Sequence, residues 1–193
     1  MERSLSSAEL SLFSYEILGL VGNGGAGAHD LLRMVRSGRM LDWAGESQYY
    51  VEPKRLARLG YLAARKEPGK TRERTVYTLT ERGRDALREY ARTPAAFVPF
   101  KSELLLRLLI ADLVGDELTL AAVTAIRAEL AELRAQLDAS ADRAKLLPHR
   151  ERYLLLVVEF LRGLLDLHRD WVDTVERTLA EAPPKRPASR HVG

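Results

Sequence analysis

Ser47, Gln48, Tyr50, Lys54, Arg55 and Arg58 fall within one short stretch of the chain. Their side chains are those that read and neutralise nucleic acid. Arg and Gln pair bidentately with guanine and adenine edges. Lys and Arg neutralise phosphates and release counterions, and a Tyr hydroxyl can bond a phosphate oxygen. Lys70 and Arg72 follow a little further on. From Lys54 to Arg74 there are eight Lys or Arg against Glu67 and Glu73, whereas the whole chain nets +3. Positive charge gathered in one segment is the pattern of an anion-binding face. The same residues would also suit an ordinary solvated surface, so the elements that carry them decide.

Those elements can be read from periodicity. Ser47 is expected to cap a short helix in which Tyr49, Pro53, Leu56 and Leu59 recur at helical spacing and form its buried face. Ser47, Gln48, Tyr50, Val51, Lys54, Arg55 and Arg58 then lie on the other faces. Gly60 is where such a helix would stop. Two strand-like runs follow, Tyr61 to Arg65 and Arg74 to Leu79, joined through Pro68-Gly69 and its basic neighbours. A first helix, capped by Ser7 or Ser11, should run through Val21 with Phe13, Ile17, Leu18, Leu20 and Val21 inward, and Gly22-Asn23-Gly24-Gly25 should end it. A second should span about Ala28 to Arg36, with Leu31, Leu32 and Val35 apolar and His29 at the surface. Ser37 to Gly45 reads as a connector whose Met40, Leu41 and Trp43 fold onto the core. After the second strand, Thr80 can cap a helix carrying Ala86, Leu87 and Tyr90, which Thr93-Pro94 stops. Three helices and a basic hairpin in that order make a winged helix-turn-helix, its third helix meant for the major groove and its hairpin for the backbone.

The remainder reads as helix. Lys101 to Val114 is apolar nearly all round and is expected to be central. Gly115-Asp116 breaks it, and Thr119 should open a long helix. Val123, Ile126, Leu130, Leu133 and Leu137 form a heptad seam there. Pro148 should start a last helix whose stripe includes Leu154, Val158, Leu161 and Leu165. Two such stripes exceed what a small helical unit hides internally, so both are assigned to a two-fold homodimer interface; an intramolecular bundle is the competing reading. His168 and Trp171, one turn apart, form a candidate effector pocket, although a buried His beside a core Trp is the commoner arrangement. The fold class is therefore mainly α with a small two-stranded β-wing. Residues 1–94 form the DNA-binding domain, 95–182 the helical dimerisation and effector region, and 183–193 a disordered tail.

Composition excludes several classes. The 193 residues contain no cysteine, so there is neither a disulfide framework nor a thiolate site, which suits a reducing cytoplasm. His29, His149, His168 and His191 are scattered without metal-ligand spacing. No carboxylate pair or activated serine marks a catalytic residue, so an enzyme, a metal site and a cofactor are not expected. The glycine run lacks the spacing of a phosphate loop. No stretch approaches the ~20 apolar residues of a membrane span, and the N-terminus does not read as a signal peptide.

Two segments resemble the PadR family of transcriptional regulators. SQYYVEPKRLARLGYL is similar to that family's recognition helix and the turn after it, and VYTLTERGRDAL resembles its closing wing strand and following helix. The resemblance spans roughly Leu12 to Leu179. It implies a homodimeric repressor of double-stranded DNA, relieved in some members by a small-molecule effector or another signal. It also implies DNA contacts from Ser47, Gln48, Tyr50, Lys54 and Arg55, with Lys70 and Arg72 at the wing. Pro53 departs from the family pattern. Proline inside a helix costs ~3 kcal/mol unless the helix bends or begins there, so a kink or two short pieces is expected. A winged-helix protein-interaction module with no DNA target of its own is the alternative function.

Overall fold

The computed structural model describes residues 10–36, 44–68, 73–97 and 101–181. The chain divides into two compact units, Met1–Phe97 and Val98–Gly193. Met40, Leu41 and Trp43 of the expected connector, the wing-tip residues Lys70 and Arg72, and the tail from 183 onward lie outside the described residues.

In the first unit, α1 (Leu12–Val21) begins at Ser11. Ser11 and Ser14 each accept the other's backbone N–H, a reciprocal cap that satisfies two otherwise orphaned donors. The apolar step of three to four residues buries Ile17, Leu18 and Val21. α2 (Ala28–Arg36) buries Leu31 and Leu32 and leaves His29 exposed. Between these helices the glycine run does more than turn the chain. Ala26–Gly27 forms a two-residue strand, β1, opposite Tyr77 and Val76. Gly25 permits this: its φ is 75°, and a Cβ there would meet the Tyr77 carbonyl at 3.0 Å. The sheet thus has three strands in the order β1-β3-β2, with β2 (Leu62–Glu67) and β3 (Arg74–Leu79) antiparallel and paired from Leu62↔Leu79 to Glu67↔Arg74. A two-residue strand is too short to leave an alternating pattern in the sequence, so only the two-stranded wing was legible.

α3 (Gln48–Arg58) runs unbroken through Pro53, contrary to the two pieces that proline suggested. Pro53 is fully buried against the core, and that packing offsets the backbone bond it cannot make. Ser47 has helical φ and ψ and makes no side-chain cap, so the expected role for it fails. The helix starts instead on turn bonds from Gln48 and Tyr49 N–H to the carbonyls of Gly45 and Glu46. Its end follows expectation. Gly60 sits at φ 79°, its N–H bonds Ala57 O, and Tyr61 N–H bonds Leu56 O, the paired closure of a Schellman motif. The core gathers Ile17, Leu18, Leu31, Tyr49, Leu56 and Tyr77, with Phe13 edge-on to Tyr49 at 5.0 Å. α4 (Glu81–Arg92) is capped by Thr80, as its sequence indicates.

The second unit holds α5 (Glu103–Leu109), α6 (Ala111–Val114), α7 (Asp116–Thr124), α8 (Ile126–Ala144) and α9 (Glu151–Ala180). α7 begins at Asp116 after Gly115, and Thr119 is not a cap. It lies buried inside the helix, its hydroxyl donating to Gly115 O at 2.9 Å. α5 and α6 bury none of their residues within one chain, so the expected central place of 101–114 is not found. The heptad seam also differs from its assignment. Val123, Leu130 and Leu137 are buried within the chain, as are Val158, Leu161 and Leu165 of α9, while Ile126, Leu133 and Leu154 are half-buried. α8 and α9 pair antiparallel, with Arg127 on Asp173 at 2.7 Å and Arg134 on Asp166 at 2.8 Å flanking the apolar seam. The stripes read as a two-fold interface therefore close on each other inside a single chain. A heptad specifies a helical partner but not whether that partner belongs to the same molecule.

Candidate nucleic-acid interface

The face of α3 away from the core carries most of the residues expected there. Ser47, Gln48, Tyr50, Val51, Lys54 and Arg58 are exposed. Tyr49, Pro53 and Leu56 anchor the opposite side. Among the described residues, neither Lys54 nor Arg58 has a hydrogen bond or ion pair, and both side chains are exposed. Arg55 does not join them. Its guanidinium lies against Glu52, Nε to Oε2 and Nη2 to Oε1, both at 2.8 Å. Its expected place among the outward cations is thus corrected: a carboxylate three residues earlier, on the inner side of the helix, captures it.

Glu52 was not singled out in the sequence, because a Glu at i before an Arg at i+3 normally marks an exposed helix pair. Here the carboxylate is buried and also accepts the Ser14 hydroxyl of α1 at 2.7 Å. Burial pushes the carboxyl upward, but the hydrogen bonds from Arg55 and Ser14 and the Arg55 charge prevail and hold it below the usual glutamate value. A carboxylate with a depressed folded value stabilises the fold fully above its unfolded value, 4.5, and loses that contribution as pH falls through the folded value. Wild-type protein is therefore expected to lose thermal stability below about pH 4.5 more steeply than a Glu52→Gln variant. Parallel melts of the two proteins across that range check it, and equal slopes would show that Glu52 is not ionised in the fold.

The C-terminal end of α3 is tied down as well. Arg82 of α4 donates through Nη1 to Leu59 O at 2.6 Å, satisfying a carbonyl at the negative end of α3, and its guanidinium stacks on the Tyr61 ring at 4.4 Å. Thr80 donates its hydroxyl to Gly60 O and Tyr61 O at 2.7 and 3.0 Å. At the wing base, Asp30 accepts Gly27 N–H and Arg74 Nη1, each at 3.2 Å, and joins α2 to β3. Glu67 pairs with Arg65 and Arg74. Part of the basic charge of this segment is thus paired locally, on Arg55 by Glu52 and on Arg74 by Asp30.

In the second unit His168 is half-exposed, its Nδ1 2.8 Å from the Leu164 carbonyl of its own helix. Trp171 packs against the cluster of Val123, Val172 and Val175. The two side chains thus contact their own helix and the core cluster. Among the described residues there is no cluster that could hold a metal ion, and no helix long and apolar enough to cross a membrane.

This architecture has known counterparts. The family described as "Virulence activator alpha C-term" matches residues 100–180. Bacillus subtilis PadR in complex with operator DNA is similar over 89% of this chain and 97% of its own, with TM-score 0.73 and 21% identity. The same protein in complex with p-coumaric acid is similar over 87% and 93%, with TM-score 0.63 and 22% identity. The Vibrio cholerae virulence activator AphA is similar over 87% and 96%, with TM-score 0.63 and 21% identity. No curated protein sequence matches. The fold is that of the PadR-type regulators: a winged helix followed by a helical C-terminal unit.

Proposed function

We propose that this chain, which has the PadR-type fold, is a sequence-specific DNA-binding transcriptional regulator that works as a homodimer. The observation that carries this is the outer face of α3, where Gln48, Tyr50, Lys54 and Arg58 stand exposed on a helix fixed at both ends. Arg58 and Gln48 are suited to base edges, Lys54 to phosphate, and Tyr50 to a phosphate oxygen. The wing residues Lys70 and Arg72 are assigned to the backbone. Likeness to PadR bound to operator DNA supports the same use of the fold. The complex of that protein with p-coumaric acid supports a signal-responsive repressor, its effector a small organic molecule. One recognition helix reads too few base pairs for selectivity, so two subunits must act together, and the apolar surface left open on α5, α6 and α9 offers the means.

The test uses duplexes selected from the genome, beginning with the DNA upstream of the gene itself. The logarithm of the binding constant should fall linearly with log salt at a slope of about −0.9 per neutralised phosphate. Arg58→Ala should cost ~1–3 kcal/mol on the selected duplex and relax preference at one base position. Lys54→Ala should weaken all duplexes alike. A flat salt response would move the function to protein interaction, and an Arg58→Ala protein with unchanged base preference would move base reading off this face.

A further inference from the structure

One buried ionic cluster of the first unit takes no part in the outer face of α3. Glu52 is 7% exposed and lies between the apolar anchors Tyr49 and Leu56. Both of its oxygens are engaged by the Arg55 fork, and Ser14, itself fully buried, closes the third side. Arg55 Nη2 also donates to Ser14 Oγ at 3.2 Å, so the three groups form a closed ring between α1 and α3. Such a bidentate pair fixes the guanidinium plane as well as its charge. Of the three cations on α3, two therefore project outward and one is held back.

We propose that Glu52 is a positioning residue that withholds Arg55 from DNA and so sets the number of cations the recognition helix presents. Swinging Arg55 toward a phosphate would leave Glu52 buried without its counter-ion, which the fold opposes. A further phosphate contact would raise affinity for every sequence alike, and the ratio between cognate and random DNA would narrow. Withholding the third cation keeps discrimination in the hands of base contacts.

The proposal rests on the DNA-binding function, and its test separates the two. Glu52→Gln keeps the shape and can still accept the Ser14 hydroxyl, but it no longer carries the charge that retains Arg55. Salt titrations on a random-sequence duplex should give a slope steeper than wild type by about 0.9 per subunit. Glu52→Gln combined with Arg55→Gln should return to the wild-type slope. Arg55→Gln alone should change neither the slope nor the base preference where it folds, and the double variant, which leaves no charge buried, decides the matter if a single variant does not fold. A slope made shallower by Arg55→Gln alone, or left unchanged in folded Glu52→Gln, overturns the proposal while DNA binding stands. Wild-type protein with no salt-dependent binding overturns both.

Discussion

A carboxylate placed at Phe160 is expected to leave the helical unit folded and the chain monomeric. α9 has two apolar faces. Val158, Leu161, Leu165 and Val172 are buried against the rest of their own unit. Leu156, Phe160 and Leu167 lie on another face at 63%, 73% and 63% exposure, with Leu164 beside them, at the three-to-four residue spacing of a packing stripe. On α5 and α6, Leu109 and Leu113 are exposed at 78% and 80%. A chain that works alone rarely leaves so much large apolar surface in water, and each such side chain gains ~1.5–3 kcal/mol when covered. Phe160→Asp would bury an unpaired charge in any two-fold contact made there, at a cost well above the gain of the side chains around it. The contrast is Leu161→Asp, one residue along, which strikes the internal seam and should unfold the unit. Light scattering and thermal melts separate the outcomes. Loss of the dimer should also lower affinity for a duplex with two half-sites by roughly 10²-fold or more, because the second contact no longer benefits from tethering. A wild-type chain that is monomeric with a cooperative melt, or a Phe160→Asp chain that stays dimeric, defeats this interface.

The features legible in the sequence are those set by a few adjacent residues. Ser11 and Thr80 cap helices because a hydroxyl in that place reaches an N–H three residues on, and Gly60 ends one because its backbone must turn left-handed. Failures arise where residue type leaves the deciding contact open. Ser47 has the residue type of a cap but sits in a turn that has already closed through backbone bonds. Arg55 reads as an outward cation because its partner Glu52, three residues earlier, is held inward by Ser14 of another helix. The stripe of α8 was sent to a second molecule because nothing in a heptad records that α9 returns beside it. The helix, its outer face and its wing could be read from spacing, whereas the choice of which cations face outward is made by tertiary contact.

Gly83→Ala is expected to dismantle the junction that holds the end of α3, although alanine is the better helix former. Gly83 lies in the first turn of α4, its N–H donating to Thr80 Oγ1 at 3.1 Å. A Cβ added there would stand 2.3 Å from the Tyr61 carbonyl oxygen and 3.2 Å from Leu79 Cδ2. The Tyr61 oxygen cannot yield, because it already accepts the Thr80 N–H at 3.2 Å and the Thr80 hydroxyl at 3.0 Å. Relief requires α4 to withdraw, and withdrawal carries Arg82 away from Leu59 O. Overpacking of this kind typically costs ~1–3 kcal/mol and more where backbone must move, so about 3 kcal/mol is expected despite a helix preference of ~1 kcal/mol for alanine. Gly19→Ala is the control. It lies within α1, an added Cβ meets nothing within 4 Å, and the change should stabilise by ~0.5–1 kcal/mol. Chemical denaturation of both variants measures these opposite signs. Under conditions where Gly83→Ala is still folded, its DNA affinity should also fall, since the C-terminal end of α3 is no longer clamped. A Gly83→Ala protein as stable as Gly19→Ala would mean that α4 does not make this close approach to the Tyr61 carbonyl.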